Sequence, residues 1–115
     1  MGTFSKEFMS TGGGGEQFLI TETAFADAET VHTVPASVKD IVEIWASNQD
    51  SLAVDLSLLW GGSSATENLI TVNIPPGEGL TCIIPGLTLD AAKVVKVWAG
   101  TTLKVSVFVE IKRIT

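Results

Sequence analysis

The sequence predicts an all-β protein: a single antiparallel β-sandwich of about eight strands, of jelly-roll or immunoglobulin-like type, behind an extended glycine-rich N-terminal arm. Large apolar residues occupy every second position from 52 to 60, and every second position from 70 to 74 resumes this period of two. Successive side chains of a strand point to opposite faces, so a period of two indicates a strand with one buried face. Turn residues separate such runs at close spacing, and no stretch has a convincing helical period. These observations together predict the sandwich.

The predicted strands follow one another along the chain with short turns between them. Each is rich in β-branched and other apolar residues and ends at Gly, Pro, Asn, Asp or Ser, which favour turns. Proline has no amide hydrogen for a sheet ladder, so Pro75-Pro76 and Pro85-Gly86 are predicted to end strands. The strands cover residues 18–23, 29–34, 38–48, 52–60, 69–74, 80–84, 91–100 and 103–114, with 87–90 leading into the seventh.

Residues 52–60 and 69–74 form the predicted centre of the core. On the first run, Leu52 and the apolar residues at every second position after it share one face. Two glycines at 61 and 62 break the run, because glycine enters conformations with positive φ without steric cost. The sequence therefore predicts a long hairpin with a wide loop.

Residues 1–17 are predicted to form a flexible N-terminal arm, and 18–115 the sandwich domain. The arm is polar apart from Phe4, Phe8 and Met9, and it contains four consecutive glycines, which lose the most backbone entropy on ordering. Two interpretations stay open. The segment is either a disordered tail or an arm that fastens to a neighbouring subunit through its two phenylalanines. Both place a hinge at the glycines.

Three large aromatic residues fall on strand faces that also carry charges. In the last strand, Leu103 and every second residue after it form the predicted core face, which leaves Phe108 with lysine and glutamate on the other. The same pattern leaves Trp45 and Trp98 facing outward. Covered apolar surface of this kind marks a subunit interface; the alternative is a bulge that turns some of them inward. The predicted interface residues are Phe4, Phe8, Trp45, Trp98 and Phe108.

Length and charge exclude several classes of partner. A chain of 115 residues fits one domain. Its formal net charge of −6 repels phosphate backbones, so we expect no nucleic-acid partner. No apolar run reaches the length of a membrane span and no signal-like leader opens the chain, so we expect cytoplasmic synthesis and no membrane partner.

Cys82 lies in an apolar run and is predicted to be a buried, inert thiol.

No catalytic, cofactor or metal site emerges from the sequence. His32 is the single histidine, and its setting in an apolar strand favours a structural role over that of a catalytic base. A calcium site around Asp27, Glu29 and Asp40 is conceivable, but no regular acidic loop pattern supports it. A glycosidase needs two carboxylates held across a cleft. Asp55, Glu43 and Glu110 lie on predicted sheet faces, but any β protein of this size offers such pairs. We therefore predict that the protein is not an enzyme and holds no cofactor or metal.

Several segments resemble a group of small virion proteins of tailed bacteriophages, over about residues 6–115. The likeness rests on the opening FSKEFMSTGGGG and on VHTVPAS, EIWASNQ, LLWGGSSATENLITVNIPPGEGL, IIPGLTL and VEIKRIT. The corresponding residues are His32-Thr33-Val34, Trp45 with Asn48, Trp60-Gly61-Gly62, Ile74-Pro75-Pro76, Pro85-Gly86-Leu87 and Arg113-Ile114-Thr115. These residues shape the fold and its turns. The resemblance implies a β-sandwich that is used in many symmetric copies in a phage particle, and it names no active site.

The resemblance implies a capsid decoration (cement) protein that stabilises the shell by binding between capsomers. Such a protein acts as a homo-oligomer, with a trimer favoured, and its partners are itself and the major capsid protein or another virion protein. It would be assembled in the host cytoplasm and end in the virion, and its arm would be disordered alone and order on the shell.

Two other roles stay open. A tail or neck component would use the same sandwich in a ring of higher order. A carbohydrate-binding module would instead be monomeric and present Trp45 or Trp98 as a stacking platform for sugar rings.

Overall fold

The computed structural model describes residues 3–10, 16–62 and 67–115 of the chain. These residues form nine β-strands and one short 3-10 helix, with no α-helix among them. The strands are β1 (Phe4–Phe8), β2 (Phe18–Leu19), β3 (Glu29–Thr33), β4 (Lys39–Asn48), β5 (Val54–Trp60), β6 (Leu69–Ile74), β7 (Thr81–Leu89), β8 (Val94–Ala99) and β9 (Val105–Ile114), and the 3-10 helix covers Phe25–Asp27.

The strands pair antiparallel in two sheets. The first sheet has the order β1-β9-β4-β7, with β2 also paired to β9, and the second has the order β3-β8-β5-β6. The pairs are nested along the chain: β5 pairs with β6, β4 with β7, β3 with β8 and β2 with β9. The structure therefore confirms the predicted all-β class, with two antiparallel sheets consistent with a β-sandwich.

The core lies between the inner faces of the two sheets. In β4, Val42, Ile44 and Ala46 are fully buried, whereas the residues between them are only half-buried. Leu56 and Leu58 of β5 are fully buried as predicted, and each such side chain contributes about 1.5–3 kcal/mol of transfer free energy. On β4 the alternation that is visible in the sequence thus separates a core face from an outer face. On β5 it does so less completely, because Ser57 and Leu59, which alternate with the core residues, are buried as well.

The predicted turn at Pro85-Gly86 is wrong, because β7 continues through both residues. Val42 of β4 lies opposite Leu87. The next residue of β4, Glu43, lies opposite Pro85, so Gly86 is the extra residue of a β-bulge. Proline is tolerated here because β7 is the edge strand of its sheet.

Replacing Gly86 by alanine should lower the free energy of unfolding by about 1–3 kcal/mol. The φ angle of Gly86 is +112°, a conformation that L-residues avoid. Space does not limit the change, since an added Cβ would lie 3.8 Å from Ile41 Cγ2. Gly100→Ala is the matched control, because Gly100 lacks a positive φ and its added Cβ meets its nearest atoms at the same 3.8 Å. Denaturant unfolding measures both variants, and an equal loss in the two would contradict the bulge.

Three single-residue predictions in the strands are wrong. Cys82 is exposed, because a second register shift between β4 and β7 places it opposite the outward-facing Trp45. Leu52 and Leu103, both predicted to face the core, are 71% and 54% exposed. Each precedes its strand, and Leu103 has a φ of +61°, so the alternation does not extend to either.

Part of the predicted arm lies on the sandwich. β1 pairs with β9 over five residues, from Phe4 opposite Ile114 to Phe8 opposite Glu110. Met9, the next residue, is 4% exposed and belongs to the core. The structure differs here from a detached arm, because an apolar side chain and a sheet ladder hold residues 3–10 in place. The glycines at 12–15 lie outside the described residues, and the hinge and the arm's behaviour in solution stay predictions.

Candidate interaction surface

Three of the five predicted interface residues meet on the outer face of the first sheet. Trp45 of β4 and Phe108 of β9 are direct cross-strand partners. Phe8 of β1 lies opposite Glu110, two residues along β9 from Phe108. Paired residues of antiparallel strands project from the same side, and an aromatic pair contributes about 0.2–1 kcal/mol. The intervening residues of β4 and β9 are buried, so these aromatic rings point away from the core.

Phe4 lies on the same face at the far end of β1. Phe4 and Phe8 are 64% and 62% exposed, and their β9 partners Ile114 and Glu110 lie in the same outward row of β9 as Phe108 and Lys112. Lys112 Nζ lies 5.9 Å from the centroid of the Phe4 ring, within cation–π range. Leu80, which is 54% exposed, borders Trp45. We call this set the aromatic face: Phe4, Phe8, Trp45, Leu80 and Phe108.

Shallow grooves cross the aromatic face and are edged by carboxylates. One groove is lined by Trp45, Phe108 and Leu80 together with Glu43 and Glu110. The indole Nε1 of Trp45 donates a 2.6 Å hydrogen bond to Glu43 Oε1, which fixes the ring against the sheet. An apolar patch with a polar rim is the composition of a protein interaction site.

The polar residues of this face are grouped in rows of equal charge. Glu43 lies directly opposite Glu110, and Lys6 lies directly opposite Lys112. Like charges in this arrangement are unfavourable on an isolated sheet. None of the four side chains forms an ion pair within 4.0 Å among residues 3–10, 16–62 and 67–115. A partner with complementary charges would relieve both rows.

Trp98, the fifth predicted interface residue, lies apart from this face. It belongs to β8 of the second sheet, where it is opposite Ser57. The ring of Phe25 packs edge-on against it, with centroids 5.7 Å apart and an interplanar angle of 68°. The period of two in this strand correctly predicts that Trp98 points outward. The pattern does not show which of the two sheets contains the strand.

A buried polar network joins the N-terminal segment to both sheets. Arg113 Nε donates to Asp40 Oδ1 at 2.9 Å, and Arg113 Nη2 donates to Oδ2 at 3.1 Å. His32 Nε2 donates to the same Oδ2 at 2.7 Å. The backbone N–H of Ser10 donates to His32 Nδ1 at 3.1 Å, which fixes the tautomer because that nitrogen must accept. Arg113 also lies 3.6 Å from Glu7 of β1.

The network sets the charge state of Asp40, which is fully buried. Burial alone would raise the pKa of this carboxyl group, but hydrogen bonds from Arg113 and His32 outweigh it and hold the pKa below the usual value. The pKa of Arg113 is raised by its hydrogen bond to Asp40. The site is therefore a buried ion pair with all carboxylate oxygens hydrogen-bonded.

Ser10, His32 and Asp40 have the residue types of a nucleophilic triad, but their hydrogen bonds serve the fold. Nδ1 of His32 accepts a 3.1 Å hydrogen bond from the Ser10 backbone N–H and also lies 3.3 Å from Ser10 Oγ. Ser10 Oγ in turn accepts a 2.8 Å bond from the N–H of Thr33. His32 is only 1% exposed. We therefore assign these residues to the attachment of the N-terminal segment. The sequence indicated a structural His32, but not its partners, because Arg113 is distant along the chain.

The acidic residues of the conceivable calcium site are used separately. Asp40 belongs to the buried network, and Glu29 Oε1 accepts a 2.8 Å hydrogen bond from Thr21 Oγ1. Asp27 lies in the 3-10 helix. Within the described part of the chain, no group of three or more His, Cys, Asp or Glu side chains could hold a metal ion.

No protein-family model, curated protein or solved structure matches this chain. Among the residues that the structure describes, no helix is long and apolar enough to cross a membrane.

Proposed function

We propose that the protein is a structural component of a bacteriophage particle, a capsid decoration protein that binds between capsomers as a homo-oligomer. The observation that carries the proposal is the aromatic face, which leaves five large apolar side chains on one side of a small domain. Symmetric oligomers need such a patch, and aromatic residues are the usual anchors of an interface. The resemblance of the sequence to small phage virion proteins supports the location in the particle.

We further propose that the sandwich is of jelly-roll type. The nested pairs β2–β9, β3–β8, β4–β7 and β5–β6 are those of one long antiparallel hairpin rolled into two sheets. If β1 and β2 are counted as one interrupted strand on the edge of β9, the fold has the eight strands of a jelly roll. The order favours this topology over the immunoglobulin-like one, and jelly rolls occur widely in viral capsid proteins.

The binding test uses bare capsids of the phage whose genome encodes the chain. We expect the full-length protein to co-sediment with the capsids. Its binding should saturate at a fixed number of copies for each site where capsomers meet. Purified tails of the same phage are the matched control. Saturable binding to tails and none to capsids would overturn decoration in favour of a tail or neck role.

A carbohydrate-binding role is the second candidate, and the Trp45 groove favours it. An aromatic ring beside Glu43 and Glu110 offers a stacking surface and hydrogen-bond acceptors for sugar hydroxyl groups. In that case soluble glycans of the host surface should quench tryptophan fluorescence, and Trp45→Phe should abolish most of the change. Absence of quenching together with capsid binding would exclude this role.

A further inference from the structure

We infer that residues 3–10 of one copy bind the β9 edge of a second copy, so that neighbouring subunits exchange their first strands. The inference rests on the proposed homo-oligomer and names the contact that would hold it together. The occupant of the β9 edge would be residues 3–10 of a second copy of this chain, the same segment that lies on the β9 edge of its own chain in the structure.

The β9 edge is already complementary to this segment along its full length. Backbone hydrogen bonds join Thr3 and Thr115 in both directions, at 3.1 and 2.9 Å, just before the β1–β9 ladder begins. Met9 fills a place in the core, and Ser10 bonds to His32. Every one of these contacts joins the segment to the rest of the domain. The identical segment of a second copy can therefore make each of them without any new surface.

The chain between β1 and β2 is longer than a direct connection needs. Phe8 lies opposite Glu110 and Phe18 opposite Val107, so residues 9–17 connect two points that only residues 108 and 109 separate on β9. The extra length of chain begins after Ser10, which is hydrogen-bonded to His32. Residues 11–17 extended would reach about 25 Å, which is close to the two shorter dimensions of the domain, 28 and 20 Å. Four of them are glycines, so their sequence imposes few steric limits on the path.

The position of β1 brings the exchange partners together. Its outward side chains Phe4 and Phe8 belong to the aromatic face, which is the surface proposed to meet another subunit. A contact between copies that includes Phe4 and Phe8 would bring β1 of one copy close to the other copy. Exchange of an identical element preserves all its contacts and so links subunits at little cost.

The experiment is a cross-link between two variants that cannot react within one chain. In a Cys82→Ser background, Lys6→Cys and Lys112→Cys are made separately, since these residues are partners in the β1–β9 register. The two proteins are mixed, partly unfolded and refolded together, and treated with a short bis-maleimide. We expect covalent pairs that contain one chain of each variant. The double variant K6C/K112C, which can react within one chain, is the positive control for the geometry.

The outcomes separate the inference from the proposed function. Strand exchange would be overturned if no mixed pairs form while the double variant reacts only within single chains. The native mass of the wild-type protein and its capsid binding are measured independently. An oligomer that binds capsids without mixed cross-links refutes the exchange alone, and mixed cross-links in a protein that binds no capsid refute only the role in the particle.

Discussion

Replacing Asp40 by alanine should lower the free energy of unfolding by about 3–5 kcal/mol, the usual cost of removing one partner from a buried ion pair. The carboxylate accepts hydrogen bonds from Arg113 and His32 inside the sandwich. Without it, an arginine that is only 19% exposed keeps its charge with no close anion except Glu7 at 3.6 Å. The N–H of His32 also loses its acceptor. Denaturant unfolding measures the loss.

The same carboxylate predicts how stability depends on pH. Because the pKa of Asp40 is lower in the folded protein than its ordinary value, its stabilisation is fully present above the unfolded pKa of about 3.9. It is lost as the pH falls through the lower folded value. Wild-type stability should therefore decrease in acid by more than that of Asp40→Asn, which has no charge to lose.

Asp27→Ala is the control for both measurements, because Asp27 is exposed on the 3-10 helix. Its stability should stay within about 0.5 kcal/mol of the wild type. If Asp40→Ala were as stable as this control, or if Asp40→Asn retained the acid dependence of the wild type, the network would not hold the two sheets together.

If the chain forms the proposed homo-oligomer, replacing Trp45 by alanine should raise its dissociation constant at least about 30-fold, which corresponds to about 2 kcal/mol for the loss of an aromatic anchor. On the aromatic face Trp45 lies beside Phe108 and Leu80. Analytical ultracentrifugation over a range of concentrations measures the change. The fold should survive, because Trp45 lies outside the core between the sheets.

Trp98→Ala is the matched control, since it removes the same side chain from the outer face of the other sheet. We expect it to leave the oligomer intact, although it loses the ring contact with Phe25. Dissociation caused by Trp98→Ala and not by Trp45→Ala would move the interface to the second sheet.

The sequence predicts the strands better than it predicts their neighbours. The alternation in β4, β5 and β9 is a local property, so the inward residues Val42, Leu56 and Val107 follow from it directly. The two bulges in β7 depend on how that strand pairs with β4. For this reason the local pattern predicts a turn at Pro85 and a buried Cys82, and both predictions are wrong. A local sequence pattern does not show the extra residue of a β-bulge, because a bulge is defined by the pairing of two strands.

The candidate interface follows the same division. That Trp45, Trp98 and Phe108 point outward is readable from a period of two. Only long-range pairing places Trp45 beside Phe108 and leaves Trp98 on the other sheet. The Asp40–Arg113 contact joins residues 73 positions apart, so no local motif announces it.

The most direct test of self-association is the native mass of the full-length protein, measured by native mass spectrometry at several concentrations. The proposed decoration role predicts a trimer that persists on dilution to low micromolar concentration. A strict monomer at every concentration would contradict the claim that the aromatic face joins copies of this chain.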